Sequence, residues 1–491
     1  MLKNNKRCKK CMLFTLTSVV FLNTLSAQDS LLLSLEDVIR LAQESSPRSR
    51  IAQTEKQLGY FQYISFKSDF KPQMSIYGSA PVYNKEYYAV RQPDGTIMYQ
   101  SIKQNNSNVG FSLNQKIPFS GGELSLNSDL SRFDDFKLKT KQYNGTPVYL
   151  RLSQPLFGIN ELRWSKKIEP LKFESTQKQY ALEMQDIAQQ TVQYYFDVLD
   201  AQSSMELAKS NLEYAKINVQ SESKRVALGT TSEDKLLQLE LQELTNQQDL
   251  ENARYRYEIA QLSLKTFIGY EEKENLNLSI PGSVPGIILS IDSAFLFAKK
   301  HRPEFVEFEV KKLEALKEVA RAKSAKQEVN LVASYGLNNA ASDLPGVYRN
   351  PNDQQRFSLG FSIPIVDWGR RKARYNTAKA IEKLTNETNR FNELSLFQEI
   401  TTIVKNIKLL QSNIALARQT DTVAQRRFTI ALRLYQMGSI SVTDLVLAQR
   451  EKDSASKALL NALRSYWNAH YMIRKLTLFD FASNVSLLNE E

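Results

Sequence analysis

Side chains able to do covalent chemistry are scarce in this chain. Its only histidines are His301 and His470, and its only cysteines are Cys8 and Cys11. His301 stands between charged residues near an expected helix end, which points to a solvated side chain. His470 stands among Trp467, Tyr471 and Met472, which reads as packing rather than ligation. No metal-ligand spacing, phosphate loop or nucleophile elbow appears, so the pattern points away from an enzyme, a metal site or a cofactor. The polar residues that do gather at defined positions flank two glycines. Tyr435 lies three residues before Gly438 and Asp444 six after it; Asp234 and Lys235 follow Gly229 by five and six. Ser441-Val442-Thr443-Asp444 also fits a capping box, with the acid favoured by the helix dipole.

These residues sit at the far ends of unusually long elements. Between Gly369 and Gly438 lie 68 residues with no Gly and no Pro. As one helix they span roughly 100 Å, at about 1.5 Å per residue. An ordinary globular helix has three or four turns, so this one needs equally long neighbours. Gly438 opens a short turn, and a second apolar helix follows.

Residues 1–27 read as a secretory signal. Lys3, Lys6, Arg7, Lys9 and Lys10 precede a short apolar run from Met12 to Leu22, and Leu25-Ser26-Ala27 offers a cleavage site. The run is too short to span a bilayer. Cleavage would remove both cysteines and lower the formal charge from +11 to +6. For an exported chain with interspersed charges, the basic balance indicates a solvated surface rather than nucleic-acid binding. No other stretch approaches 18 consecutive apolar residues, so membrane residence requires a β-barrel.

The chain repeats itself. Ser34-Leu35-Glu36-Asp37 begins a helix expected to run to about Lys71, and Ser290-Ile291-Asp292-Ser293 begins its counterpart, with Pro47 and Pro303 in register 256 residues apart. Pro155 and Pro364 are 209 residues apart, as are Gly229 and Gly438. Beyond each glycine, Leu250, Ala253, Tyr257, Ala260, Leu264 and Phe267 answer Leu459, Ala462, Tyr466, Ala469, Ile473 and Leu476. Spacings of three and four make each series a heptad seam, and conservation of the Pro–Gly distance makes this a duplication. Pro170 falls near the start of the first long helix, either in its first turn or at a kink.

The two offsets differ by 47, so the first copy carries about that many extra residues, within 79–146. Val109, Phe111, Leu113, Ile117 and Phe119 alternate with mostly polar residues, as do Val148, Leu150 and Leu152, and Phe357, Leu359, Phe361, Ile363 and Ile365. Period-two segments fit outer-membrane strands or a half-buried soluble sheet equally well. Tyr77, Tyr83, Tyr149 and Tyr335 are candidates for interfacial girdles. The insertion reads either as a hairpin added to a barrel or as an extracellular extension.

With this two-copy order, the prolines ending strands before the long helices, and the turns Arg225-Val226-Ala227-Leu228-Gly229 and Tyr435-Gln436-Met437-Gly438, the chain resembles the TolC family of outer-membrane efflux proteins over essentially its whole mature length. The resemblance implies a mixed α and β fold. Long antiparallel coiled-coil hairpins form a trimeric α-helical periplasmic tunnel, joined to one shared outer-membrane β-barrel. It implies a passive exit duct in the outer membrane, extending into the periplasm. Its partners would be two more copies of itself, outer-membrane lipid, a periplasmic adaptor and an inner-membrane pump of RND or ABC type. The system would be tripartite efflux or type I secretion.

The resemblance also assigns the turn residues. Tyr435 and Asp444 match the family's periplasmic gate. Ile440 and Leu447 stand where a basic residue and a second acid are frequent in it. Asp234 and Lys235 occupy the corresponding place in the first copy, and a Lys235–Asp444 contact between neighbouring hairpins would replace the missing pairs. Leu228, Gly229, Thr230, Met437, Gly438 and Ser439 become the adaptor contacts. The expected organisation is a signal at 1–27 and a first repeat at 28–279, with strands at about 72–157, a long helix to 228, the turn at 229 and a helix to about 268. A linker at 280–289 leads to a second repeat at 290–491, with strands at about 328–366, a long helix at 370–437, the turn at 438 and a helix to about 476. The alternatives are a periplasmic adaptor (membrane fusion) protein, which generally has one hairpin, and a coiled-coil structural protein of the envelope, which lacks the strands.

Overall fold

The computed structural model describes residues 32–271, 276–282, 284–287, 289–324 and 328–488. The expected signal at 1–27 lies outside them. Each repeat begins with two helices, not one: α1 (Leu35–Ser45) and α2 (Pro47–Ser68) in the first, α5 (Ile291–His301) and α6 (Pro303–Ser324) in the second. The single helix expected up to Lys71 is therefore corrected. Pro47 has no N–H and pushes the residue before it out of the helical region. Ser46 accordingly has φ −63° and ψ 148°, and its side chain caps the next helix by accepting from the Ser49 N–H. Arg302 repeats the break with φ −70° and ψ 141° before Pro303.

The strands of the first repeat are β2 (Gln73–Ser79), β3 (Tyr83–Arg91), β4 (Ile97–Lys116), β5 (Glu123–Asp135) and β6 (Thr140–Pro155); a two-residue strand, β1 (Leu32–Leu33), precedes them. β1 pairs in parallel with β7 (Asn277–Leu278). The second repeat has only β8 (Glu328–Ala341) and β9 (Asn352–Ser362), joined across the short helix α7 (Leu344–Val347). One antiparallel sheet takes them in the order β2-β4-β5-β6-β8-β9. β3 also pairs with β4, on the same edge as β2 and beyond it, after an interruption at residues 80–82. Pro81 cannot donate to a ladder there. Tyr77 and Tyr149 do not point to the apolar face. They lie on the polar one with Asp129, which accepts a hydrogen bond from the Tyr77 hydroxyl. Only Tyr83 and Tyr335 remain on the side a girdle requires.

Below the sheet run α3 (Glu161–Ala227) with α4 (Glu233–Ile268), and α8 (Arg370–Gln436) with α9 (Val442–Thr477). Both long helices have 67 residues, about 100 Å each. Pro170 lies inside α3, well past its first turn. Beside the sheet the lateral order is α2-α3-α6-α8; towards the tip it is α4-α3-α9-α8. The main core lies between these levels and joins both repeats through Val38, Tyr195, Phe196, Ile400, Ile407 and Tyr466. The Tyr195 hydroxyl donates to the carbonyls of Leu33 and Ser279, and that of Tyr466 to Pro285, tying the connecting segments to the bundle. The chain closes with the short pair β10 (Phe479–Asp480) and β11 (Val485–Ser486).

His301 is buried, not solvated as its charged neighbours suggested. Only 4% of it is accessible, stacked against Phe297 and Phe479. His470 packs edge-on to Trp467 and Tyr471, and burial pushes its imidazole down to about 4, so it is neutral.

Candidate functional site: the hairpin tips

The two tips have the same backbone. Gly229 has φ 68° and Gly438 φ 74°. The Gly229 N–H donates to Val226 and that of Thr230 to Arg225; the Gly438 N–H donates to Tyr435 and that of Ser439 to Leu434, all at 2.9 Å. This paired bonding satisfies the last carbonyls of a helix and requires the left-handed conformation that glycine adopts freely. A Cβ at either glycine would meet nothing within 4 Å. Leu228 and Met437 project beside them, 77% and 68% accessible, so both turns present an apolar side chain next to open backbone.

The side chains differ. At the second tip, Asp444 closes a capping box: it accepts from the Ser441 N–H at 3.1 Å and hydroxyl at 2.6 Å, and its own N–H donates to Ser441. These bonds, helped by the charge of Arg427, hold its carboxyl below the ordinary range. At the first tip Ser232 makes no side-chain cap, and Asp234 and Lys235 are exposed. Among the described residues no ion pair joins Lys235 to Asp444 within the chain, so that expected contact does not hold the protomer's two hairpins together.

A residue that the sequence reading missed does hold them. Glu222, one turn before Arg225 on α3, has only 4% of its side chain accessible. Its carboxylate accepts from the Thr231 hydroxyl at 2.7 Å and the Tyr435 hydroxyl at 3.5 Å, and pairs with Arg225 at 3.4 Å. Arg225 lies over the Tyr435 ring, 6.0 Å from its centroid, and donates to the Gln436 carbonyl at 3.3 Å. Tyr435 is itself buried, and burial first, then the Glu222 charge, raises its hydroxyl pKa. A buried carboxylate persists when it is paired and hydrogen-bonded, and this one is shared between α3 and α8. Below it, Tyr435 packs in a small cluster with Phe428, Ala431, Leu445 and Ala448. The 209-residue register offered a signal: the counterpart of Glu222 is Ala431, so an acid occupies a core position that the other repeat fills with alanine.

Among the described residues no group of three or more His, Cys, Asp or Glu side chains converges as a metal site, and no helix is long and apolar enough to cross a membrane. The arrangement fastens the two helical tips to each other.

Comparison with known proteins identifies the architecture. The outer membrane efflux protein family matches residues 96–270 and 298–477, one segment in each repeat. The solvent efflux pump outer membrane protein SrpC of Pseudomonas putida is 25% identical over 375 residues, covering 72% of this chain and 75% of that one. The CmeC outer membrane channel of Campylobacter jejuni superposes with a TM-score of 0.65 at 18% identity, over 90% of this chain and 85% of that one. The open-state MtrE outer membrane channel of Neisseria gonorrhoeae superposes with a TM-score of 0.60 at 17% identity, over 90% and 88%. The chain belongs to the outer membrane efflux protein family: it is an exit duct for efflux, placed in the outer membrane and extending into the periplasm.

Proposed function

We propose that three copies of this chain close side by side into one duct, which receives cargo from an inner-membrane pump of RND or ABC type through a periplasmic adaptor. The observation that carries this reading is that the chain is open along the same two lateral edges at every level. One edge is β2, α2 and α4; the other is β9 and α8. Both are apolar where they should be wet. Leu58 and Phe61 on α2 and Leu237, Leu241 and Leu244 on α4 are exposed on one side. Leu384, Phe391, Leu409, Leu416 and Val423 on α8 are exposed on the other, the last three at heptad spacing. The chain exposes 32766 Å², against about 18,000 Å² for a compact chain of this size. Two unlike edges form a heterologous contact, which gives a ring when the rotation closes.

The gate follows from the tip. Glu222, Arg225 and Tyr435 latch α8 to α3 in the closed state, while three copies of Asp444 converge near the axis and attract cations. Asp234 and Lys235 belong to the same rim. Leu228-Gly229-Thr230 and Met437-Gly438-Ser439 offer the adaptor six small knobs per ring of three. Contact there releases the latch and swings the α8–α9 hairpin outward; nothing in the duct is covalently changed. The test is extraction in mild detergent with measurement of mass, followed by single-channel recording. A particle of three copies that conducts more when Tyr435→Phe and Glu222→Gln are combined supports the reading. A soluble periplasmic monomer would sink it. Opposite-charge exchange at Lys235 and Asp444 checks pairing between copies: failure to restore closure after either single change opens the pore excludes it.

A further inference from the structure

We infer that the segment inserted in the first repeat is part of the barrel wall, so that each copy contributes six staves and three copies close an eighteen-stranded barrel, β9 of one chain pairing with β2 of the next. The inference rests on the duct reading above. Without the insertion, each repeat would give two strands, as β8 and β9 do in the second. In the structure, β4 and β5 stand between β2 and β6 in the sheet; β5 is paired on both sides, and β4 is paired with β2 across 108–114 and with β5 across 104–116.

The registers carry the insertion through as wall. One row reads Met74, Leu113, Leu126, Leu150 and Tyr335 before it reaches Gln355 on β9. The next row, on the opposite face, reads Ser75, Ser112, Asn127, Tyr149 and Gly336. An apolar face backed by a polar face, unbroken from original to inserted strands, is the pattern of a stave between lipid and water. The sheet curls round the polar side. Ser112, Ser125 and Asn127 are 6%, 8% and 7% accessible, while Met74 and Leu150 are 70% and 46%. A merely extracellular extension has no reason to keep lipid-facing leucines in register with β6.

The rows also climb. The row through Gln73, Asn114, Ser125, Arg151, Ser334 and Arg356 begins on the first residue of β2 and ends six residues from the Ser362 end of β9. Six residues at about 3.3 Å, over five steps of about 4.8 Å, is a tilt of about 40°, inside the range of transmembrane barrels. All six strands therefore share one tilt. Carried over the seam, the same climb of about one residue per strand brings Ser362 beside Ser75 of the next chain, both on the polar face. At that tilt eighteen strands enclose a backbone radius of about 18 Å, half again that of twelve, since diameter grows with strand number. Twelve helices, four per copy at about 9 Å spacing, make a ring of about 17 Å, so sheet and tunnel meet at one girth.

Alternate cysteine labelling tests this, in a chain with Cys8 and Cys11 replaced by serine. Cells carrying single cysteines at Leu113, Asn114, Leu126, Asp129, Tyr149 or Leu150 are treated with a membrane-impermeant maleimide. The expected result is labelling about tenfold faster at 114, 129 and 149 than at 113, 126 and 150, because lipid shields alternate residues. Alternation at 149 and 150 but equal labelling at all four inserted positions overturns the inference and leaves the duct intact. Loss of alternation at 149 and 150 overturns the duct reading itself. The double variant Ser75→Cys with Ser362→Cys should give disulfide-linked trimers on a non-reducing gel. Only monomers, from protein that still sediments with the outer membrane, exclude the seam.

Discussion

The middle of the helical bundle and its tip are built on different principles. In the middle, Val38, Tyr195, Phe196, Ile407, Tyr466 and Ile473 are all but inaccessible, and six helices from both repeats share one core. At the tip, five buried residues do the packing, and the link between hairpins is a carboxylate, a guanidinium and a phenol. Apolar burial is non-directional and tolerates little gap; a hydrogen-bonded ion pair can be exchanged for water and for a partner's groups. In the proposed gate, this difference marks the end that opens. Moving elements come from the low-stability end of a structure, and the tip is that end.

This contrast can be broken by experiment, beginning with the largest effect. Ile400→Ala should cost about 2–5 kcal/mol in the middle, as buried aliphatic truncations do; urea midpoints of detergent-solubilised protein measure it, and tip exchange should not change. Acid should act on the same region. Burial holds His470 at about 4, below its ordinary 6.5. As pH falls through 6.5 the unfolded chain takes up the proton first, so the stability is full above 6.5 and is lost between 6.5 and 4. The loss is about 3 kcal/mol, and His470→Phe should flatten the profile.

At the tip, Glu222→Ala strips Arg225 and Tyr435 of their shared partner and should weaken the latch by about 1–3 kcal/mol. Hydrogen exchange at residues 428–440 and pore conductance should both rise. If they do not, the latch is decorative. Gly229→Ala and Gly438→Ala should each cost about 1–2 kcal/mol, because both sit in the left-handed region. Equal losses would confirm that the two turns are one backbone; unequal losses would separate them. The smallest effect separates the caps: Ser441→Ala should fray the start of α9 in exchange measurements, while Ser232→Ala should leave α4 unchanged. Asp444 supports that cap above its ordinary value of 3.8 and loses it as pH falls below, so the tip should fray under strong acid only.

The repeats show how differently the two kinds of information are stored. The long helices and their glycine ends were legible, because an absence of Gly and Pro and a residue that tolerates positive φ act within a few positions of chain. The break at Ser46 was equally local, and the proline rule that explains it was available. The burial of His301 was not: Phe479, which stacks on it, lies 178 residues further along the chain. Glu222 was hidden for the same reason. An acid on a long helix is ordinarily solvated, and it is Tyr435, 213 residues away, that ties this one to α8.

By itself, the sequence determined the lengths: two 67-residue helices, two turns in one conformation, strands of period two, and a duplication that keeps them in register. These depend on backbone freedom and side-chain alternation, which each residue carries with it. Tertiary structure decided partners: β4 and β5 between β2 and β6 rather than beyond them, and Glu222 with Tyr435. Pairing depends on which surfaces meet after loops of tens to hundreds of residues have closed. Closure entropy grows too slowly with loop length to choose among them, so complementary faces, visible only in the folded chain, make the choice.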